Sequence, residues 1–320
     1  MIIGARLGLP VGKATRNAFG EALRDLGRSH PEIVVVDGDV HNSTRTGYFA
    51  KEFPDRFFNV GIAESNMVGV AAGLAANGKT AVVSSFACFI MCNGFDQLRM
   101  SVAFPQQNVK VVGSHAGISI GEDGPSQMGI EDVALALALP GFTVLCPADE
   151  HAARALTRLM IETSGPAYMR TGRLDVPIIY NEESEFTLGR ANRLRDGNDL
   201  TIIASGLMVA AALEAAHLLA EEGIEARVLD MHTIRPLDAE AIEAAARETG
   251  CIVTAEEHLL AGGLGQQVAA VVADTWPVPM GFVGLDNQFA TSGAPDALLV
   301  RYGLTADDIV RVAKRAFGRR

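Results

Sequence analysis

The fold prediction starts from one stretch of the chain, Phe57-Phe-Asn-Val-Gly-Ile-Ala-Glu64-Ser-Asn-Met67-Val-Gly-Val-Ala-Ala-Gly-Leu-Ala75. The short apolar run Phe57–Val60 is typical of a buried strand, and the small and apolar residues of Ser65–Ala76 predict a helix. A strand that passes directly into a helix is the repeating unit of a parallel sheet, so this stretch predicts an α/β fold.

The same alternation extends on both sides of this stretch. Apolar runs predict further strands at Ile33–Asp37, Ala81–Ser85, Val109–Val112, Thr143–Cys146 and Ala167–Met169. Helical patterns lie between them, at Thr15–Leu26, Asn93–Ala103 and Glu150–Glu162. Strands that alternate with helices form mostly parallel sheets covered on both faces, so residues 1–176 predict one α/β domain.

The pattern lapses over residues 177–198, where prolines, glycines and charged residues predict a linker with room for a short hairpin. It then resumes, with predicted strands at Leu200–Ala204, Ala226–Asp230, Cys251–Ala255 and Gly281–Val283. The predicted helices of this part are Met208–Glu222, Asp238–Glu248, Gly265–Asp274 and Ala306–Phe317. Residues 199–320 therefore predict a second α/β domain, again with a mostly parallel sheet flanked by helices.

The composition excludes several classes of protein. The chain has 320 residues, of which 48% are hydrophobic, and its net charge of −11 argues against a nucleic-acid binder. No apolar run is long enough to span a membrane, and the N-terminus lacks the pattern of a secretory signal. The cysteines form no CxxC pair and lie in apolar surroundings, which predicts buried free thiols and a cytoplasmic protein. They are Cys88, Cys92, Cys146 and Cys251.

Polar and aromatic residues follow several of the predicted strands, at the edge where an open parallel sheet binds ligands. These segments are Asp37–Ser43, Gly61–Asn66, Phe86–Phe89 and His115 with the glycine-rich Gly117–Pro125. Because the carboxyl ends of parallel strands share one edge, these segments should converge there. The sequence therefore predicts a ligand site with carboxylates, a histidine, two phenylalanines and a glycine-rich loop.

Each of these residues also has a purely structural interpretation. Glu64 stands at a helix start, where the helix dipole favours a carboxylate. Its apolar neighbours favour a second interpretation, in which it shares a proton with a ligand. Phe86 and Phe89 are either core residues or an aromatic surface for a flat heterocycle. His115 is either a satisfied loop histidine or a substrate contact.

Other site types are not supported. The Gly262–Gly265 turn is only loosely similar to a phosphate loop, because its spacing is not G-x-G-x-x-G. No group of residues has the spacing of a zinc or EF-hand site, so no metal ligand is predicted in this chain. No G-x-S-x-G motif is present, which leaves a serine hydrolase unsupported.

Taken together, these segments resemble the pyrimidine-binding domain of transketolases. Residues 57–75 resemble its signature, and Ser84–Phe89 resembles the segment that packs on the aminopyrimidine ring of thiamine diphosphate. Gly113–Pro125 resembles the loop that contacts substrate. Ala14–Arg16 and Pro166–Arg173 resemble further segments of the family. Asp230–Asp238 resembles part of the family's C-terminal domain. The motifs occur in order over nearly the whole chain.

The resemblance implies a thiamine-diphosphate-binding fold followed by a transketolase C-terminal-like domain. It also implies transfer of a two-carbon ketol unit from a phosphorylated ketose to an aldose. The glutamate that activates the cofactor's aminopyrimidine falls on Glu64. The other cofactor-binding positions fall on Asp39, Ile62, Phe86 and Phe89. The position of a catalytic histidine falls on His115. The substrate-binding positions fall on Arg16, Ser43, His115, Asp123, Gln127 and Arg173.

The Gly-Asp-Gly…Asn motif, through which the family holds a divalent metal and the cofactor's diphosphate, is missing; Asp37-Gly-Asp39 has the wrong order. The resemblance therefore implies a separate N-terminal transketolase subunit that holds this diphosphate together with Mg²⁺ or Ca²⁺. It further implies a dimer of heterodimers, because the cofactor lies between two chains in this family.

Two departures and three alternatives accompany the resemblance. Gln127 stands where the family often has a histidine, which weakens the expectation of a phosphorylated pentose acceptor. Cys92 stands where a tyrosine often packs on the pyrimidine ring.

A deoxyxylulose-phosphate synthase-like enzyme and the β subunit of a 2-oxoacid dehydrogenase are alternatives within the superfamily. A non-catalytic scaffold subunit is the third, and retention of Glu64 together with Phe86, Phe89, His115 and Asp123 argues against it.

Overall fold

The computed structural model describes residues 2–320, and its strands and helices alternate along most of the chain. In chain order, the strands are β1 Val11–Ala14, β2 Ile33–Asp37, β3 Phe57–Asn59, β4 Thr80–Phe86, β5 Val109–Ser114, β6 Thr143–Leu145, β7 Ala167–Arg170, β8 Asp175–Pro177, β9 Asn192–Arg195, β10 Leu200–Ala204, β11 Ala226–Asp230, β12 Thr233–Arg235, β13 Ile252–Leu259 and β14 Met280–Leu285.

The helices cover both faces of the sheets. They are α1 Thr15–Ser29, α2 His41–Thr44, α3 Gly47–Glu52, α4 Glu64–Ala76, α5 Ala87–Asn93, α6 Phe95–Gln97, α7 Asp132–Leu137, α8 Glu150–Glu162, α9 Met208–Glu221, α10 Ala239–Thr249, α11 Leu264–Asp274, α12 Pro295–Arg301 and α13 Ala306–Phe317. A π-helical turn, Leu98–Ala103, continues α6, and single 3₁₀ turns lie at Ala5–Leu7, Pro54–Arg56 and Ile118–Ile120.

The first domain is built on a sheet with the strand order β12-β6-β7-β5-β4-β2-β3. All of its strands are parallel except β12, which pairs antiparallel with β6. The central strands are buried over their whole length because helices cover both faces, which explains why β2 consists of consecutive β-branched residues up to its last position, Asp37. The carboxyl ends of β2, β3, β4 and β5 meet at one edge of this sheet.

The second domain is built on a sheet with the order β14-β13-β10-β11-β9, parallel except for β9. The prediction of a short hairpin in the linker is wrong for the described residues. Instead, β8 pairs with β1, and β9 pairs with β11. Each of these short strands satisfies its backbone groups on a neighbouring edge, which ties the linker down at both ends.

One strand crosses between the domains. Strand β12 follows β11 of the second sheet in the chain but pairs with β6 of the first sheet, with Thr233 opposite Leu145. Its Ile234 is 2% exposed and packs in the same apolar cluster as the helices and strands of the first domain. This strand was not predicted, because three residues are too few to show a period in the sequence.

The two-domain α/β fold with mostly parallel sheets is confirmed. The predicted helix Asn93–Ala103 is present only in part. It is interrupted at Gly94, between α5 and α6, and α6 then continues into the π-helical turn. The prediction of four buried thiols is wrong for Cys92, which is exposed, while the other three are buried. Within residues 2–320, no helix has the length and apolar character needed to cross a membrane.

Candidate active site

Glu64 is the first residue of α4 and lies at the carboxyl edge of the first sheet. Its side chain is only 6% exposed, and Ser85 Oγ donates a hydrogen bond of 3.0 Å to Oε1. Among residues 2–320, Oε2 of this carboxylate has no hydrogen-bond partner. A buried carboxylate that is fixed by one donor and keeps its other oxygen free can bind a polar ligand atom.

A row of parallel rings starts at Phe86, the residue that follows Ser85. Phe86 ends β4, and Phe89 lies in the first turn of α5. Their ring centroids are 5.4 Å apart with an interplanar angle of 7°. His115, the residue after β5, stacks on Phe86 at 3.9 Å and 11°. Flat aromatic faces of this kind suit a planar heterocycle, so the structure brings these three predicted site residues together.

His115 is held in one tautomer. Its backbone has a φ of 57°, which is uncommon outside glycine, and its side chain is 3% exposed. Nη1 of Arg16 lies 2.8 Å from Nε2 of His115, and Oγ of Ser114 lies 2.8 Å from Nδ1. Because arginine can only donate, Nε2 accepts and Nδ1 carries the proton. Burial and then the positive charge of Arg16 lower the pKa of His115 to about 3.

The guanidinium of Arg16 is the cationic part of the site. Nη1 also donates to the carbonyl oxygen of Ser43 at 3.0 Å, and Nε is buried without a hydrogen-bond partner among the described residues. Burial, followed by repulsion from Arg45 and Arg173, lowers the pKa of Arg16 to about 10. Three guanidinium groups therefore act on one another here, which favours binding of an anion.

Arg173 and Asp123 form a second group on the same side. Nη1 of Arg173 lies 3.3 Å from Oδ1 of Asp123 and donates to the carbonyl oxygen of Ile120 at 3.1 Å. Both side chains are 37% exposed, so this ion pair is accessible to a ligand. Repulsion by Arg173 also contributes to the lowered pKa values of Arg16 and His115.

Within residues 2–320, three other predicted residues share no hydrogen bond or ion pair with this group. Asp39 has a φ of 65° and accepts a hydrogen bond of 2.8 Å from Asn59 at the ends of β2 and β3. Gln127 accepts from its neighbour Ser126 at 2.5 Å. Ile62 is 82% exposed. Their assignment as cofactor or substrate contacts stays a prediction.

Asp37 has a structural role that explains how the turn after β2 is held. Its carboxylate accepts hydrogen bonds from the backbone N–H of Val40 at 2.8 Å and from the hydroxyls of Thr44 and Thr46 at 3.1 and 2.7 Å. Burial raises the pKa of Asp37 against the effect of these donors. The turn that contains Ser43 is thereby fixed beside Arg16.

The Gly262–Gly265 turn is filled from within the chain. Glu256 of β13 accepts hydrogen bonds from the backbone N–H groups of Leu264 and Gly265 at 2.7 and 2.8 Å, at the start of α11. A carboxylate thus takes the place that a phosphate takes in a phosphate loop. Among residues 2–320, no group of three His, Cys, Asp or Glu side chains is arranged to hold a metal ion.

Sequence reasoning missed two residues that organise the site. Ser85 orients Glu64, and Ser114 orients His115 while it donates to the carbonyl oxygen of Ser85 at 3.3 Å. Both are 0% exposed. Their only signal in the sequence is a hydroxyl at the end of an otherwise apolar strand, which identifies a polar contact but not its partner.

Comparison with known proteins adds an independent line of evidence. The family model of the transketolase pyrimidine-binding domain matches residues 12–178, and that of the transketolase C-terminal domain matches residues 189–309. An apulose-4-phosphate transketolase subunit of Phocaeicola vulgatus is 40% identical over 301 residues, which is 94% of this chain and 96% of the relative. The 6-deoxy-6-sulfo-D-fructose transketolase subunit of Clostridium sp. is 42% identical, over 93% of this chain and 92% of the relative.

A solved structure is similar over the same length. It is that of a split-gene transketolase, an inactive β4 tetramer, with a TM-score of 0.91 and 46% sequence identity. The match covers 96% of this chain and 99% of that one.

Proposed function

The chain belongs to the transketolase family, and we propose that it is the pyrimidine-binding subunit of a split transketolase that transfers a two-carbon ketol unit from a ketose to an aldose. The observation that carries this proposal is the buried carboxylate of Glu64, fixed by Ser85 and with Oε2 free, beside the parallel rings of Phe86 and Phe89.

These residues fit thiamine diphosphate, the cofactor that this family uses. A flat aminopyrimidine requires aromatic surface and a buried carboxylate at a ring nitrogen, and Phe86, Phe89 and Glu64 supply both. When bound, the cofactor supplies the carbon nucleophile that cleaves and forms the carbon–carbon bond of the sugar. Glu64 would then hold a proton between its carboxylate and the ring nitrogen, and its burial would shield that proton from solvent.

The remaining residues suit a polyhydroxylated, anionic substrate. Neutral His115 can exchange hydrogen bonds with a sugar hydroxyl because Arg16 and Ser114 fix its orientation. Arg16 has an unpartnered Nε and a lowered pKa, and an anionic group of the substrate would relieve both. One relative is named for a sugar phosphate and another for a sulfo sugar. Each of these two sugars carries an anionic group.

The proposal includes a partner subunit that holds the diphosphate of the cofactor and its Mg²⁺ or Ca²⁺. Exposed apolar side chains near the start of α4 and on the turn packed against this helix support a covering chain. Phe58 and Ile62 precede α4, Met100 lies on the π-helical turn, and Phe104 directly follows that turn. The similar split-gene structure is an inactive tetramer of β chains, which supports a requirement for the partner. We propose two copies of each subunit, with a cofactor at each contact between unlike chains.

The test is ketol transfer by the chain reconstituted with its N-terminal partner, thiamine diphosphate and Mg²⁺. We expect activity only in the complex, and we expect Glu64→Gln to reduce it by about 10²-fold or more, as for loss of a positioned acid–base group. Glu162→Ala, at the exposed end of α8, is the control and should be active. Near-wild-type transfer by Glu64→Gln would contradict the proposed mechanism.

A second assay separates the alternatives within the superfamily. The same complex is supplied with pyruvate, and release of carbon dioxide is measured. A transketolase should transfer ketol units far faster than it decarboxylates pyruvate. Rapid decarboxylation without ketol transfer would instead indicate a deoxyxylulose-phosphate synthase-like enzyme or a 2-oxoacid dehydrogenase subunit.

A further inference from the structure

The glycine-rich loop Gly117–Pro125, which contains Asp123, is seated on the second domain. Three of its glycines, Gly117, Gly121 and Gly124, have φ values of 82°, 88° and 83°, in the region that favours glycine. Each also lies against a residue of the second domain, so closely that a Cβ would overlap it. The overlapped residues are Glu257, Pro295 and Ser292 in that order. The backbone conformation therefore favours glycine at all three positions, and the close approach of the second domain leaves little room for a side chain there.

Glu257 of β13 makes the polar contact that holds the loop. Its side chain is 5% exposed, and Oε1 accepts a hydrogen bond of 2.6 Å from the backbone N–H of Ser119. The carbonyl oxygen of Glu257 accepts a second bond of 2.8 Å from Nη2 of Arg170, whose Nε donates to Asp132 at 2.9 Å. The backbone of Glu257 is thus fixed to the first domain through a buried ion pair, and its carboxylate reaches from there to the loop.

The loop is held from its other side by Arg173, which donates to the carbonyl oxygen of Ile120 and pairs with Asp123. Ile118 and Ile120 are 0% and 1% exposed and pack in the apolar cluster of the second domain. The loop therefore has one face in the interior of the second domain and the other against the candidate substrate site. A shift at Ser119 would be transmitted to Asp123 four residues later.

We infer that Glu257 is a positioning residue for substrate binding: the second domain, through this carboxylate, sets the position of the loop that carries Asp123. This inference rests on the proposed function and gives the second domain a specific part in it. The physical reason is that a loop with three glycines loses much backbone entropy when it is ordered, so a fixed buried acceptor is needed to hold one conformation.

The kinetic test uses the reconstituted complex. We expect Glu257→Ala to raise KM for the ketose donor by about tenfold or more, since small displacements of substrate-positioning groups have effects of this size. The value of kcat should change less than about threefold, because Glu64 and the aromatic row are untouched. Glu257→Gln should restore KM to near the wild-type value, because its amide oxygen can still accept from Ser119.

Glu256→Ala is the matched control. Glu256 is the preceding residue, is equally buried, and also accepts backbone N–H groups, but those belong to α11 and not to the loop. A general loss of stability should affect both variants alike, whereas a change in donor KM should appear only at Glu257. If the alanine variant does not fold, Glu257→Asp replaces it, because this change draws the carboxylate back by one methylene and should raise KM similarly.

A second measurement does not depend on activity. Hydrogen exchange of residues 117–124 is followed in the complex without substrate, and Glu257→Ala should accelerate it while Glu256→Ala should not. Unchanged exchange together with an unchanged donor KM would overturn the inference, as would equal effects at Glu256 and Glu257 or failure of Glu257→Gln to restore KM. If the wild-type complex lacked ketol transfer, the proposed function would fail while the exchange result still tested the anchoring of the loop.

Discussion

The hydroxyl of Ser85 lies 3.0 Å from Oε1 of Glu64, so the last-but-one residue of β4 orients the carboxylate at the start of α4. This contact joins two strand–helix units that are consecutive in the chain, β3–α4 and β4–α5. It leaves Oε2 as the oxygen that faces a ligand.

Loss of this contact should impair the reaction without unfolding the chain. We expect Ser85→Ala to lower kcat by about 10-fold to 100-fold, because a hydrogen bond to a charged group is worth about 1.5–3 kcal/mol. Ser85→Thr keeps the hydroxyl and should retain most of the activity. Ser84→Ala is the control, since its equally buried hydroxyl donates to Val112 instead. Equal losses at Ser84 and Ser85 would show that Ser85 acts only through packing.

The pKa of His115 should depend on Arg16. Burial and the Arg16 charge hold this pKa at about 3, so the imidazole is neutral throughout the physiological range. Arg16→Met removes one positive charge but not the burial, and the pKa should rise towards its usual value without reaching it. Arg173→Met should produce a smaller rise, because Arg173 is the lesser of the two influences. The imidazole nitrogen resonances of His115, followed against pH by NMR, measure this, and an unmoved pKa in Arg16→Met would contradict the assigned contact.

Asp230 should make the wild-type chain less stable as the pH rises. Burial raises its pKa to about 8 from 3.8, and Tyr180 donates to it at 2.7 Å. The folded state therefore binds this proton more tightly than the unfolded state, so the stabilisation is complete below about pH 4 and is lost as pH increases through 8. Asp230→Asn keeps an acceptor for Tyr180 and has no such titration.

Urea unfolding at several pH values between 5 and 8 tests this expectation. The free energy of unfolding of Asp230→Asn should rise relative to that of the wild type as the pH increases. Asp274→Asn, an exposed change at the end of α11, should leave the pH dependence of the wild type intact. Parallel curves for the wild type and Asp230→Asn would mean that this carboxyl does not titrate in the range.

Strand β12 should link the stability of the two domains. Ile234 lies on a strand paired with the first sheet, in an apolar cluster that contains residues of both domains, and its replacement by alanine should cost about 2–5 kcal/mol. Ile234→Val should cost less, and Val300→Ala, at a position 59% exposed, should be nearly neutral. Calorimetry should show both domains melting earlier in Ile234→Ala. A loss confined to the second domain would contradict the strand pairing.

Much of the architecture was predictable because it depends on local pattern. The apolar runs at β2, β4 and β5 and the residues that follow them predicted which residues share one edge of the sheet, and the fold prediction is confirmed. Glu64, Phe86 and His115 could be selected because each follows a strand end. The interruption of the helix after Asn93 could not be predicted. Helix propensity does not reveal that packing on α4 favours a π-helical turn over a regular α-helical one.

The sequence by itself determined the strand–helix order, the sheet edge at which the candidate site residues lie and the residue types available there, because periodicity and strand ends are local properties of the chain. Only the tertiary structure decided which partner each polar group has. Ser85 meets Glu64 across 21 positions, Thr233 pairs with Leu145 in the other domain, and Glu257 reaches Ser119 across 138 positions. Such contacts arise from the packing of whole elements, and their geometry depends on the buried surfaces between them, which no local pattern encodes.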